Sequence, residues 1–133
     1  MSRWIERIDA GPVVTLALNR PESHNAFNPE LIGELTLAFQ AVSQDETVRV
    51  VVLTGRGRSF CAGADVNFMR AAADFTFAQN MSDGQAIFDL MNVVDSCPKP
   101  VIGRIKWGRH WWGGGAGKLL RHRGGGRTGY VRL

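Results

Sequence analysis

From position 96 to position 133 the sequence contains no Asp and no Glu. That stretch therefore offers no carboxylate for general acid-base work. Cysteine is equally scarce: Cys61 and Cys97 are the only two, and they match no metal or redox spacing. His24 has no second metal-type residue at ligand spacing, and no Ser/His/Asp or Cys/His constellation is legible. Long apolar runs are missing as well, so nothing approaches the length that crosses a bilayer. The opening Met1-Ser2-Arg3-Trp4-Ile5-Glu6-Arg7 lacks the apolar centre of a signal peptide. These absences lead to the expectation of a reduced, soluble, cytoplasmic protein without a membrane partner.

What is present is divided in two. Residues 1–105 carry nine Lys and Arg against twelve Asp and Glu, a net of −3, and residues 106–133 carry seven Lys and Arg with no acid, a net of +7. The whole-chain value of +4 is therefore an average over unlike parts, and the first part gives no sign of a nucleic-acid partner. At 133 residues with 44% hydrophobic composition there is room for one small domain.

In the first part the patterns alternate between strand and helix. Trp4–Ile8 and Val13–Leu18 are strand-like and flank the turn signal Ala10-Gly11-Pro12, which predicts a hairpin. Asn28 before Pro29 predicts a helix N-cap, and Leu31, Ile32, Leu35, Ala38, Phe39 and Val42 recur on one face of the helix that follows. The β-branched run Val48–Thr54 predicts a buried strand. Strand, helix and strand in that order predict a parallel crossover and an α/β class. Val66–Ala73 reads as a short helix. The apolar but irregular stretch around Phe75, Phe77 and Met81 suits a mobile pocket wall about as well as ordinary packing. Ile87, Leu90, Met91 and Val94 mark another amphipathic helix ending near Cys97-Pro98, and Pro100–Ile105 begins a strand.

The stretch that joins these patterns to chemistry is Ser59-Phe60-Cys61-Ala62-Gly63-Ala64-Asp65-Val66-Asn67. Small residues between a strand and a helix leave backbone amides open to a ligand, and such amides can donate to an oxygen on which negative charge develops. Ala64 is the candidate oxyanion donor; an ordinary strand-to-helix turn is the alternative. Asp65 is better suited to fixing that turn through backbone hydrogen bonds than to catalysis, and Cys61 to packing than to nucleophilic attack.

Three ordered blocks resemble the crotonase superfamily of enoyl-CoA hydratases and isomerases: Leu18-Asn19-Arg20-Pro21-Glu22-Ser23-His24-Asn25-Ala26-Phe27, Val48–Gly55 and Ser59–Asn67, with Lys99-Pro100-Val101-Ile102 similar to a fourth. The likeness covers about residues 1–105, and Asn25-Ala26-Phe27 with Asn67-Phe68-Met69-Arg70 most resembles hydratases of branched esters such as methylglutaconyl-CoA. The resemblance implies the N-terminal part of a ββα-superhelix fold that acts on an acyl-CoA thioester in fatty-acid metabolism. It implies hydration or isomerisation of a 2-enoyl-CoA through an oxyanion hole that includes the Ala64 amide. Ala26, Ala62, Ala64, Asp65, Val66 and Asn67 would border the substrate and its coenzyme A. No resident cofactor or metal is implied, because coenzyme A belongs to the substrate. Members of the family assemble as homotrimers or dimers of trimers, which this chain is not expected to do.

After Ile105 the pattern breaks. Residues 107–133 hold nine Gly, five Arg and three Trp, without helical or strand periodicity. Gly113-Gly114-Gly115-Ala116-Gly117 falls two residues late for the glycine run the family would have; in the reconstructed frame described next, the resemblance puts the second oxyanion glycine at the place of Trp112, whereas with the visible run in register Gly117 would stand at the place of the first catalytic glutamate. Removing one base near codon 106 permits a reading that continues the family pattern, so residues 106–133 are expected to be an out-of-frame, disordered tail on a truncated and inactive chain. A non-catalytic remnant with partial CoA binding is the alternative from another class. Arg121-His122-Arg123-Gly124-Gly125-Gly126-Arg127 leaves a polyanion-binding tail as a third. Gly113–Lys118 is not a phosphate-binding loop, since Leu119 follows the lysine where a Ser or Thr is needed.

Overall fold

A computed structural model describes residues 3–106 and 128–132, the latter segment by its backbone. Strands β1 (Ile5–Ala10) and β2 (Val13–Leu18) form the antiparallel hairpin, turning at Gly11 with φ +60°, a conformation that glycine adopts freely. Helix α1 (Pro29–Gln44) then crosses over to β3 (Val50–Gly55), which pairs with β2 in parallel. Helices α2 (Val66–Ala72) and α3 (Phe77–Asp95) make the next crossover to β4 (Val101–Lys106), again parallel. The sheet order is β1-β2-β3-β4-β5, and the α/β class with its parallel crossovers is as the sequence predicts.

Helix α1 begins where the cap was expected. The Asn28 side chain accepts from the Leu31 amide, and Pro29 occupies the first turn, where a missing N–H has no consequence. Leu31, Ile32, Leu35, Phe39 and Val42 are buried against Val14, Leu16, Leu18, Val51 and Leu53 of the sheet. At its C-terminus the Lys99 ammonium donates to the Val42 and Asp45 carbonyls, satisfying acceptors that the helix leaves open.

The structure departs from the sequence-based expectations in three places. Helix α3 starts at Phe77, inside the stretch read as irregular, because Thr76 and Gln79 form a capping box: the Gln79 amide donates to Thr76 Oγ1 and the Thr76 amide to Gln79 Oε1. Its expected apolar face is largely open, with Leu90 alone in the α3 span buried and Ile87 and Met91 exposed. Finally, β4 continues through Lys106, and Thr128–Arg132 form β5, antiparallel to β4. Those residues lie in the tail expected to be disordered. Antiparallel pairing needs only backbone groups and a short extended segment, here rich in residues that favour strands, Thr128, Tyr130 and Val131. The rest of the predicted tail, residues 107–127 and 133, lies outside the described residues.

Candidate oxyanion site

Strand β3 ends at Gly55, and the chain returns through residues 56–65 alongside the loop that follows β2. Two buried anchors set this approach. Asn25, with φ 56° and no exposed surface, accepts from the Arg20 amide at 2.7 Å and donates to the Arg56 and Ser59 carbonyls, both at 2.9 Å. Asparagine tolerates this left-handed backbone better than most residues do. Gly55 lies so close that a Cβ there would meet the Phe60 carbonyl oxygen at 2.5 Å and Asn25 Nδ2 at 2.7 Å.

Beyond these anchors the two segments form a single parallel bridge, Phe27 to Ala64. The Phe27 amide donates to the Gly63 carbonyl at 2.7 Å, and the Asp65 amide donates to the Phe27 carbonyl at 2.8 Å. Successive residues of an extended segment aim their backbone groups to opposite sides, so Ala64 faces away from this bridge. Its own N–H has no acceptor among the described residues, and Ala64 is exposed. Gly63, at φ +93°, supplies the left-handed step that turns the chain there.

Asp65 is buried and occupied. Its carboxylate caps α2 by accepting from the Phe68 amide at 3.0 Å, and it pairs with Arg20 Nη1 at 2.7 Å. The Phe68 amide first, and then the Arg20 guanidinium, hold this carboxyl below the usual carboxylate range. Asp65 is therefore a fixed anion at neutral pH. Arg20 Nη1 also donates to the Ala26 carbonyl at 3.0 Å, and the Arg20 guanidinium lies 5.6 Å from the Trp4 ring centroid.

Of the sequence-predicted site residues, Ala62, Ala64, Asp65, Val66 and Asn67 follow one another along this turn, and Ala26 sits across the bridge from it. Ala26 is buried with its carbonyl engaged by Arg20, Ala62 donates its amide to the His24 carbonyl at 2.9 Å, and Val66 and Asn67 are exposed. Cys61 packs against the core, and burial pushes its thiol up, away from the thiolate form a nucleophile needs. His24 is an exposed loop residue whose Nδ1 lies 3.1 Å from Ser59 Oγ.

An open cleft of about 490 Å³ lies next to the turn, bordered by Arg20, Asn28, Asp65, Asn67, Phe68 and Gln79. A smaller one of about 350 Å³ separates α1 from α3 and is lined by Ile32, Leu37, Phe68 and Ile87. Neither includes Ala64. Sequence reasoning gave Arg20 and Asn25 no individual role. The asparagine carried a signal, as a residue suited to the left-handed region; the arginine carried none, since its partner stands 45 positions away.

A parallel β-α-β unit carries an open strand-end amide beside a clamped aspartate, and its sheet and helices match solved structures of the crotonase-type fold. The comparisons with known proteins carry that class to a family. Residues 9–119 match the family model "Enoyl-CoA hydratase/isomerase", so the chain belongs to the enoyl-CoA hydratase/isomerase family. The match extends past Lys106, where the composition changes. Over 95 residues it is 51% identical to 1,2-epoxyphenylacetyl-CoA isomerase of Escherichia coli K12, covering 68% of this chain and 35% of that protein. A probable enoyl-CoA hydratase of Mycobacterium bovis is 40% identical over 96 residues, 72% of this chain and 36% of its own length. The crystal structure of an enoyl-CoA hydratase from Shewanella pealeana superposes with a TM-score of 0.76 at 32% identity, covering 78% of this chain and 39% of that one. The chain thus spans little more than a third of the length of these relatives. Among the described residues no helix is long and apolar enough to cross a membrane.

Proposed function

We propose that this chain holds the thioester carbonyl of an acyl-CoA at the Ala64 amide, as one oxyanion donor of an enoyl-CoA hydratase/isomerase unit. The observation that carries this reading is the Ala64 N–H: the Gly63 carbonyl and the Asp65 amide on either side are engaged in the bridge to Phe27, while this N–H has no acceptor among the described residues. A donor fixed before the reaction needs no reorganisation when negative charge grows on the thioester oxygen. Removing one such donor costs on the order of a hundredfold or more in rate. Ala62, Asp65, Val66 and Asn67 border the same opening, and the backbone at Ala26 borders the coenzyme A portion. Coenzyme A enters and leaves with the substrate, so no resident cofactor is required.

Hydration or double-bond isomerisation of a 2-enoyl-CoA also needs a group that moves a proton or activates water, worth roughly a hundred- to ten-thousandfold. Asp65 is committed to Arg20 and the Phe68 amide, and no acid follows Asp95 in the sequence. In this reading the segment in hand binds a thioester, and hydration by it stays near background. Calorimetric titration with butyryl-CoA and a hydration assay with crotonyl-CoA test both halves of the reading. The expected result is binding with hydration at background. Turnover that survives purification overturns the inactivity, and absence of binding overturns the thioester site. The out-of-frame origin of residues 106–133 is tested separately by the nucleotide sequence at codon 106, which must continue the family pattern in another frame.

A further inference from the structure

Resting on the reading of Ala64 as a thioester donor, we infer that Arg20 is a positioning residue that sets the direction of the Ala64 amide through Asp65. One nitrogen does the work. Arg20 Nη1 contacts the Ala26 carbonyl at 3.0 Å and Asp65 Oδ2 at 2.7 Å, the residues immediately preceding Phe27 and following Ala64 in the bridge. It therefore ties together the two segments whose spacing decides where the Ala64 N–H points. The backbone bonds of the bridge hold one side of Ala64, and the side chain of Asp65 is the fastening next along the chain.

The pose of Arg20 is itself unusual. Its side chain is 15% exposed, and its Nε is buried with no acceptor. A guanidinium normally spreads its five donors over a planar fork. Here the ring face of Trp4 supports it from one side, and the Trp4 amide is in turn held by Glu34 Oε2 at 2.6 Å. The chain Glu34, Trp4, Arg20, Asp65 thus runs from half-buried Glu34 on α1 to the open turn. An arginine that only neutralised Asp65 would have no need to reach the Ala26 carbonyl with the same nitrogen.

Two variants separate this role from simple stabilisation. Arg20→Ala removes the tie, whereas Asp65→Asn keeps an acceptor for the Phe68 amide at the start of α2 and loses only the ion pair, since Asn caps helices as well as Asp does. The probe is butyryl-CoA labelled with 13C at its carbonyl, a saturated thioester that cannot be hydrated. Its carbonyl stretch is read by infrared difference spectroscopy and its affinity by calorimetry. In the wild-type chain the stretch falls on binding. In each variant that fall should be largely lost and the affinity should drop about tenfold, the equivalent of one hydrogen bond. The double variant should be no worse than either single one, because the two residues act as a unit.

If the wild-type chain binds without a change in the carbonyl stretch, or does not bind, the thioester reading of Ala64 fails and the inference with it. If the wild-type stretch shifts and Asp65→Asn retains both the shift and the affinity, the positioning role is overturned while the thioester site stands. Should Arg20→Ala not fold, Asp65→Asn alone decides.

Discussion

The two helical layers of this chain use similar side chains to opposite ends. On α1, Leu31 and Phe39 are fully buried, while on α3 Phe77 is 81% and Phe88 59% exposed. The difference does not lie in residue type. Helix α1 lies between the sheet and α3 and so has a partner on each side, whereas α3 touches α1 along Leu90, Val93 and Val94 and has open space elsewhere. Burial is thus decided by what stands opposite a residue, and periodicity alone does not report it.

The largest test of this contrast is a pair of truncations. Phe39→Ala should destabilise the fold by about 3–5 kcal/mol, from lost burial and the cavity left behind. Phe77→Ala should stay within about 0.5 kcal/mol of wild type. Urea unfolding of the two variants measures both, and equal losses would mean that α3 is packed in solution where the structure leaves it open. Asn25→Ala comes next, because it leaves the Arg20 amide and the Arg56 and Ser59 carbonyls without their buried partner, at a cost of at least about 2 kcal/mol. The same variant should loosen the Ala64 turn, seen as faster hydrogen exchange at the Phe27 and Asp65 amides.

Smaller effects separate the helix starts. Asn28→Ala removes the α1 cap and should cost about 1 kcal/mol of global stability. Thr76→Ala removes the α3 capping box but should mainly speed exchange in the first turn of α3, a layer that contributes less to the cooperative core. Smallest is the acid response of Asp45 at the end of α1. Thr47 Oγ1 first, and Arg7 next, hold its carboxyl at about 2. The folded value is lower than the ordinary one of about 3.9, so this group stabilises the native state above about pH 4 and ceases to do so as pH falls through about 2. The difference in melting temperature between wild type and Asp45→Asn should therefore shrink across that window. A constant difference would assign the effect to packing.

Much of the architecture is legible in the sequence because its signals are local. The pair Asn28-Pro29 announces α1, the apolar run Val13–Leu18 after the Gly11-Pro12 turn signal announces β2, and the small residues before Asp65 announce the turn. The capping box at Thr76 and Gln79 was also there to be read, but the irregular apolar residues around it masked the start of α3. What local pattern does not carry is the pairing of distant groups. Nothing near Arg20 points to Asp65, and nothing near Asn25 points to the carbonyls of Arg56 and Ser59; those contacts exist only once β2 and β3 lie side by side. Strand β5 was missed for a related reason, since its backbone pairing depends on the presence of β4.

Strand β4 is fastened at its two ends by lysines that act in opposite directions along the sheet. Lys99, just before it, reaches back to the last carbonyls of α1, and Lys106, at its end, donates to the Gly55 and Gly57 carbonyls at 3.1 and 2.8 Å. A slip of one residue between β3 and β4 would turn Val101 and Ile105 out of the core and strand both ammonium groups at once. The two side chains thus work like locating pins, admitting a single alignment of this strand and thereby holding steady the sheet beside the Gly55 approach to the Ala64 turn.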